Sequence, residues 1–340
     1  MVDDIRLSII IPYYNANAWI GRMLDSLLDQ DLPEEQYEIL VIDDGSTEPA
    51  VTLQKYENDH SNIIVIHQEN GGTSAARNYG MSRARGKWLY ICDSDDFVQP
   101  QLLGHLLDMA DDNDLDMLVC KWCVVDQDAK PQGYSLPIEM TEICSGWDYL
   151  ASFTSYPMGV GFGVWRYLLK KESVLKNGIR FENFAYVEDR IFQLDLFQAV
   201  KRVARAEVML YYYVQHKESI MHNKRKQNYD KYAQWIWLYI DKITALIQDG
   251  SLSDDAKTVL EGHRDFAVFS LLGNSIKYCP VSTTKEALER LKTINGAYPV
   301  QTTGVARWIR LARRYMNHPC LWLLSCRLFH ILPFRVRQML

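Results

Sequence analysis

Asp93, Asp95 and Asp96 place three carboxylates within four residues, directly after the apolar run 88–92. Like charges that close repel, and they stay ionised together only with something positive among them. A divalent cation that prefers hard oxygen ligands, Mg²⁺ or Mn²⁺, meets that need and would in turn hold a diphosphate. An acidic turn with Asp96 capping a helix is the simpler alternative. Asp43-Asp44-Gly45-Ser46-Thr47 closes a second apolar run. It serves either as a turn or as a carboxylate offered to a base or ribose. In Asn70-Gly71-Gly72-Thr73-Ser74 the glycines allow close approach of backbone to a ligand, and the helix that follows presents free N–H groups. Arg77, one turn in, can reach a phosphate or a neighbouring Asp. Glu188-Asp189 stands ahead of another helical pattern. One of the two suits a first-turn acid, and the other could act as a general base whose pKa an aromatic pocket raises. His216 reads as a metal ligand, a phosphate contact or a histidine simply seated after a strand.

These residues need elements to hold them. Residues 7–11 and 38–42 are near-continuous apolar runs, the pattern of strands covered on both faces. Residues 63–67, 88–92 and 116–125 read as further strands. Between the first two, Ile20, Met23, Leu24, Leu27 and Leu28 recur at helical spacing. Strand–helix alternation with short turns predicts a largely parallel sheet covered by helices. In such sheets ligands sit at the carboxyl ends of the strands, where Tyr14, Asp43, Asp44, Asn70 and the Asp93 group accumulate. Residues 126–185 are less regular and rich in Pro and Gly. A helix is expected over 191–200, then the aromatic segment 211–216, and helices over 232–247, 254–279 and 285–294.

The 340 residues suffice for a sizeable core, and the net charge of −6 excludes a dedicated nucleic-acid binder. Seven scattered Cys, with the single Cys120/Cys123 pair, imply reduced thiols rather than a zinc site. An acidic start leaves no signal peptide expected, and no apolar run is long enough to span a bilayer. The charge is divided unevenly, however. Residues 301–340 hold seven Arg and no Lys, Asp or Glu, so the first 300 carry −13. Within the tail 305–340, Arg307, Arg310, Arg313 and Arg314 alternate with Trp308, Ile309 and Leu311. That composition fits an interfacial helix on anionic lipid, or a helix packed on its own catalytic domain or on a second subunit of a homo-oligomer.

Taken in order, Ser8–Asn15 (SIIIPYYN), Val41–Thr47 (VIDDGST), Asn70–Asn78 (NGGTSAARN), Asp93–Asp96 (DSDD) and Glu188-Asp189 resemble the family 2 glycosyltransferases. The resemblance covers roughly residues 5–100 and again 160–220, and not the C-terminal third. It implies an α/β GT-A fold, a Rossmann-like, mostly parallel sheet flanked by helices, with an α-helical C-terminal extension. The catalytic domain would span 1–220, with a nucleotide-sugar half to about 125 and an acceptor half from 126. The helical region would occupy 221–340. It implies inverting transfer from a UDP-sugar with Mn²⁺ or Mg²⁺.

Carried over by residue, Pro12 and Tyr14 line the nucleobase pocket, with Asn15 beside them and Asp44 accepting from the uracil imide. Asn70, Arg77, Asp93 and Ser94 face the nucleotide-sugar. Asp93 and Asp95 form the DxD pair, with His216 a further metal contact. Asp189 is the general base and Glu188 its support. Near the Glu-Asp pair, the aromatics Phe162, Trp165, Phe181, Phe184 and Tyr186 read either as stacking surfaces for sugar rings or as core, with Trp165 and Tyr186 the expected acceptor contacts. A polyprenyl-diphosphate-linked acceptor would suit a cytoplasmic enzyme held peripherally on the inner face of the cell membrane. Two other readings compete: a nucleotidyltransferase on a similar sheet, and a non-catalytic membrane-surface scaffold. The first normally carries a basic Gly-rich loop after strand one, where this chain has no Lys or Arg between Ile11 and Arg22.

Overall fold

A computed structural model describes residues 5–152, 163–183, 188–215, 229–250, 252–278, 281–294, 297, 317–321 and 324. The chain divides into two compact units, one of residues 1–149 with 162–218, the other of 150–161 with 219–340.

The first unit is built on an eight-stranded sheet in the order β3-β2-β1-β4-β7-β6-β8-β5. Its strands are β1 (Leu7–Tyr13), β2 (Tyr37–Asp44), β3 (Ile63–Gln68), β4 (Trp88–Ile91), β5 (Phe97–Val98), β6 (Met117–Val125), β7 (Tyr167–Lys170) and β8 (Val203–Val214). The helices are α1 (Ile20–Leu28), α2 (Val51–Asp59), α3 (Thr73–Arg83), α4 (Leu103–Asp112), α6 (Lys171–Leu175) and α7 (Glu188–Ala199), with α5 (Gly146–Ala151) crossing the unit boundary in sequence. β1 is parallel to β2 and β4, and β2 to β3, as the apolar runs predict. All eight residues of β2 are buried, which both faces of a covered strand require. α1 buries Ile20, Met23, Leu24 and Leu27, the predicted stripe. α3 lies so close to the sheet that a Cβ at Gly80 would stand 2.4 Å from the Ile10 side chain. That contact fixes how deep the first turn of α3, and Arg77 with it, sits above the strands.

Beyond β4 the sheet departs from simple alternation. β7 enters antiparallel between β4 and β6, and β5 pairs antiparallel with β8, while β6 and β8 are parallel. β7 is only four residues long and stands in the Pro- and Gly-rich stretch, so no periodicity marks it. β8 begins at Val203, well before the aromatic segment visible in the sequence, and supplies the floor on which the acidic loop after β4 rests.

The second unit contains α8 (Tyr229–Asp249), α9 (Asp254–Tyr278) and α10 (Val281–Thr293). α9 packs on both of its neighbours. Tyr232 meets Ser270 at 2.5 Å, Tyr239 meets His263 at 3.1 Å, and the Arg290 guanidinium lies 4.3 Å from the Trp237 ring centre. Among the described residues no helix is long and apolar enough to cross a membrane. Only residues 317–321 and 324 of the basic tail 305–340 are described.

Candidate active site

The parallel strands end together, and their polar residues form one cluster. At the end of β1, Tyr14 is 49% exposed and Pro12 half-buried. Asn15, at φ +50°, stitches this loop to the next. Its Oδ1 accepts from the N–H groups of Thr47 and Glu48 at 2.9 and 3.1 Å, and its own N–H donates to Ser46 Oγ at 3.0 Å. Asn15 is therefore a brace between the two loops.

Asp43 and Asp44 point to opposite faces of β2, as adjacent strand residues must. Asp43 accepts from Ser46 N–H at 3.0 Å and meets His67 Nδ1 at 2.8 Å. Burial works to raise its pKa, but the hydrogen bonds from Ser46 and His67 outweigh this and hold it below the ordinary value. Asp44 accepts from the N–H groups of Gly71 (Oδ1) and Gly72 (Oδ2), both at 2.8 Å, and from Gln68 Nε2 at 2.7 Å. Asn70 donates to the Asp44 carbonyl at 2.8 Å. Gly72 has φ +87°, a left-handed value that suits glycine, and its carbonyl starts α3. Asp44 is thus spent largely on shaping the glycine loop. Each carboxylate oxygen accepts two bonds, so Oδ2 keeps one lone pair for a ligand.

Arg77 is the centre of the cluster. Nη2 donates to Asp93 Oδ1 at 2.8 Å and Nη1 to Asp189 Oδ1 at 2.6 Å. Burial would favour losing its charge, but the surrounding carboxylates of Asp189, Asp93 and Glu188 hold the guanidinium firmly protonated. Its carbon lies 5.0 Å from the Phe181 ring centre, and Phe181 stacks on Phe192 at 4.0 Å. Asn78, the next residue, grips Phe181 from both sides, donating to its carbonyl at 2.7 Å and accepting its N–H at 2.9 Å. Phe181 is consequently a buried shelf under Arg77 rather than an open sugar platform.

The acidic loop resolves its charge differently from either sequence reading. Asp93, Ser94 and Asp95 are half-exposed, whereas Asp96 is fully buried and caps no helix. Burial, then the charges of Asp95 and Asp93, push Asp96 up to about 9, so it is protonated at neutral pH. One of the three charges is removed by protonation and a second is paired with Arg77. Asp93 and Asp95 still present hard oxygen donors on either side of Ser94, the chemistry that Mg²⁺ and Mn²⁺ select. Among the described residues, no group of three or more His, Cys, Asp or Glu gathers to hold a metal. His216, the expected further ligand, lies outside the described residues, as do Tyr186, Phe162 and Phe184. The pair fits a cation that takes its remaining ligands from water and phosphate.

Glu188 and Asp189 open α7. Burial, then the charge of Asp189, push Glu188 up to about 7, and its Oε2 is buried without a hydrogen-bond partner. Asp189 is raised by burial against the pull of Arg77. Trp165 does not stand open toward an acceptor. It is 6% exposed, stacked 4.4 Å from Tyr211 and edge-on to Trp122 at 4.8 Å, within the main core cluster. Tyr211, which bonds to Asp93 and Asp96, and Asn78, which bonds to Phe181, are contacts that no chemistry-bearing pattern in the sequence marks. The only signal for them was their membership of the aromatic segment and of the glycine-loop motif.

Residues 8–171 match the family described as Glycosyl transferase family 2. YibD, an uncharacterized glycosyltransferase of Escherichia coli, is 30% identical over 251 residues, covering 72% of this chain and 70% of its own. TarS of Staphylococcus aureus in complex with UDP-GlcNAc superposes with a TM-score of 0.69 at 20% identity, over 96% of this chain and 92% of the TarS chain. By sequence, TarS, a poly(ribitol-phosphate) beta-N-acetylglucosaminyltransferase, is 28% identical over 218 residues, 63% of this chain and 36% of the full TarS chain. The mannosyltransferase PcManGT of Pyrobaculum calidifontis, in complex with GDP-Man and Mn²⁺, gives a TM-score of 0.52 at 18% identity over 96% of this chain and 87% of its own. The sheet, its flanking helices and the helical C-terminal region define a GT-A fold. The chain belongs to glycosyl transferase family 2 and is a glycosyltransferase, which ends the nucleotidyltransferase alternative.

Proposed function

We propose that this enzyme transfers a sugar from a UDP-sugar to a hydroxyl of a glycan or lipid-linked acceptor, with inversion at the anomeric carbon. One observation carries the reading. Arg77 joins Asp93, on the loop read as facing the donor diphosphate, to Asp189, on the helix read as facing the acceptor. Inversion needs a base on the side of the sugar opposite the leaving group. Asp189 takes the proton from the acceptor hydroxyl as its oxygen bonds to the anomeric carbon. The bond from that carbon to the diphosphate oxygen breaks, and its electron pair leaves with the diphosphate. Arg77 stabilises the charge that develops there. Tyr14 and Pro12 cover the nucleobase, Asp44 accepts from its imide, and Asn15, Asn70 and Ser94 border the donor. Mn²⁺ or Mg²⁺ held by Asp93 and Asp95, with His216 as a further ligand, would supply charge neutralisation at the diphosphate. The UDP-GlcNAc complex of TarS and the Mn²⁺ complex of PcManGT, as relatives in fold, support the donor class and the metal.

A second reading concerns the base. Glu188 titrates near neutrality and has an oxygen without a partner, so it suits proton transfer if Asp189 stays on Arg77. Loss of transfer in Glu188→Gln with retention in Asp189→Asn would assign the base to Glu188. The donor assignment is tested by calorimetry with UDP in Mn²⁺ and in chelator. Binding that requires the metal is expected, and metal-independent or absent binding would overturn it. The acceptor reading extends to the tail, which would seat the enzyme on anionic lipid at the inner face of the cell membrane, near a polyprenyl-diphosphate-linked acceptor.

A further inference from the structure

Tyr211 lies fully buried on β8, directly beneath the acidic loop. Its Oη accepts from Asp93 N–H at 3.1 Å and donates to Asp96 Oδ2 at 2.5 Å. Val214 N–H donates to Asp96 Oδ1 at 2.7 Å. Trp165 stacks on the Tyr211 ring at 4.4 Å and 8°, so the hydroxyl has little freedom to swing. A core that needed only volume would be served by Phe at 211 and an apolar residue at 96. Burying a phenol and a carboxyl is costly unless both are hydrogen-bonded. Here each of these bonds ends on the acidic loop or on β8, so the two strands' ends are fastened together at the loop's first residue and its last.

We propose that Tyr211 is a positioning residue for the carboxylates of Asp93 and Asp95, with Asp96 as the loop's footing on β8. The inference rests on reading that loop as the donor and metal site. Its physical content is orientation. Asp93 N–H has Tyr211 Oη as its acceptor, and without that acceptor the loop can rotate about its anchor at Asp96. The two carboxylates would then diverge from the near-octahedral geometry that Mg²⁺ demands and Mn²⁺ favours. Groups that orient ligands in this way commonly govern metal affinity without touching the ion.

The test compares Tyr211→Phe with Tyr212→Phe in the full chain. Tyr212 also loses two hydroxyl bonds, to Gln99 Oε1 at 2.8 Å and from Gln132 N–H at 2.7 Å, neither on residues 93–96, while its ring position, stacked 4.6 Å from Phe97, is kept by phenylalanine. Two readouts are needed: hydrogen exchange of the peptide 92–97, and the Mn²⁺ concentration that half-saturates UDP binding. Tyr211→Phe removes the acceptor of Asp93 N–H and the donor to Asp96, and the loss of the first alone should speed exchange in that peptide roughly 5–10-fold. It should also raise the half-saturating Mn²⁺ about 10-fold. Tyr212→Phe should change neither, although both variants lower the melting temperature. Identical behaviour of the two variants in both readouts would overturn the positioning role. A wild-type chain that binds no UDP in Mn²⁺ would instead overturn the donor-loop reading, a failure that the exchange readout keeps separate. If Tyr211→Phe does not fold, Asp96→Asn serves with the same readouts and the same expected direction, and wild-type values there would equally overturn the role.

Discussion

Arg77 Nη1 donates to Asp189 Oδ1 at 2.6 Å, across 112 residues of sequence. The other arm of the same guanidinium holds Asp93 at 2.8 Å. A single planar fork therefore fixes one carboxylate from the loop after β4 and one from the start of α7. A lysine would have to hold both carboxylates from one nitrogen, because its three donors share a single ammonium instead of standing on separate arms of a rigid plane.

Replacing Arg77 leaves two partly buried carboxylates without their cation. Arg77→Ala should destabilise the chain by about 3–5 kcal/mol, measured by urea denaturation. Arg77→Lys should recover part of that stability while transfer stays low. Equal transfer by the lysine variant and the wild type would show that the fork has no part in the reaction.

Asp189→Asn keeps the size of the side chain and removes its basicity. Transfer, followed as UDP release, should fall by about 10²–10⁴-fold. UDP affinity should stay within about twofold, since Asp189 is not read as a donor contact. Near-normal turnover would remove Asp189 as base.

Glu188 is pushed up to about 7 by burial and then by the charge of Asp189, above the usual carboxylate range of the unfolded chain. The folded protein thus keeps this proton where the unfolded chain has released it. The stability linked to the group is full below the unfolded pKa and is lost as pH rises through about 7. Glu188→Gln cannot ionise, so it should gain on the wild type between pH 5 and pH 8 in denaturation experiments. Parallel pH profiles for the two proteins would contradict the assignment.

Asn78 holds both backbone groups of Phe181, the shelf beneath Arg77. Asn78→Ala leaves that N–H and C=O without their partners and should cost about 1–3 kcal/mol. Transfer should decline more than UDP affinity, because the shelf stacks on Phe192 of α7, the helix that carries Asp189. A variant as stable and as active as wild type would exclude the support role.

The first four strands of the parallel sheet could be read from sequence because each is an apolar run ended by a polar cluster. Leu7–Tyr13 and Tyr37–Asp44 extend the runs 7–11 and 38–42 by the polar or turn-like residues that the sheet still pairs. β7 could not be read that way, since four residues carry no period and their partner strands lie far away in sequence. The acidic loop was legible as a charge problem but not in its solution. Whether a carboxyl such as Asp96 is buried and protonated depends on Tyr211 and Val214, more than a hundred residues on. Trp165 misled for the same reason: an aromatic beside a glycine-rich stretch looks available until Tyr211 is stacked on it.

The basic tail makes a separate prediction, from composition alone. Removing residues 305–340 takes away all seven tail Arg. The shortened chain should stay in the supernatant when sedimented with vesicles containing phosphatidylglycerol, while the full chain pellets at low salt. Equal sedimentation of both would end the lipid reading of the tail.

The bonds from Asn15 to the Thr47 and Glu48 amides, and from Asp44 to Gly71 and Gly72, tie three strand-end loops together before any ligand arrives. Their conformational entropy is lost during folding, so a nucleotide binding against them has little of these three loops left to immobilise. For these three loops, UDP binding should therefore add no heat-capacity component from coupled folding beyond the apolar area that the base covers.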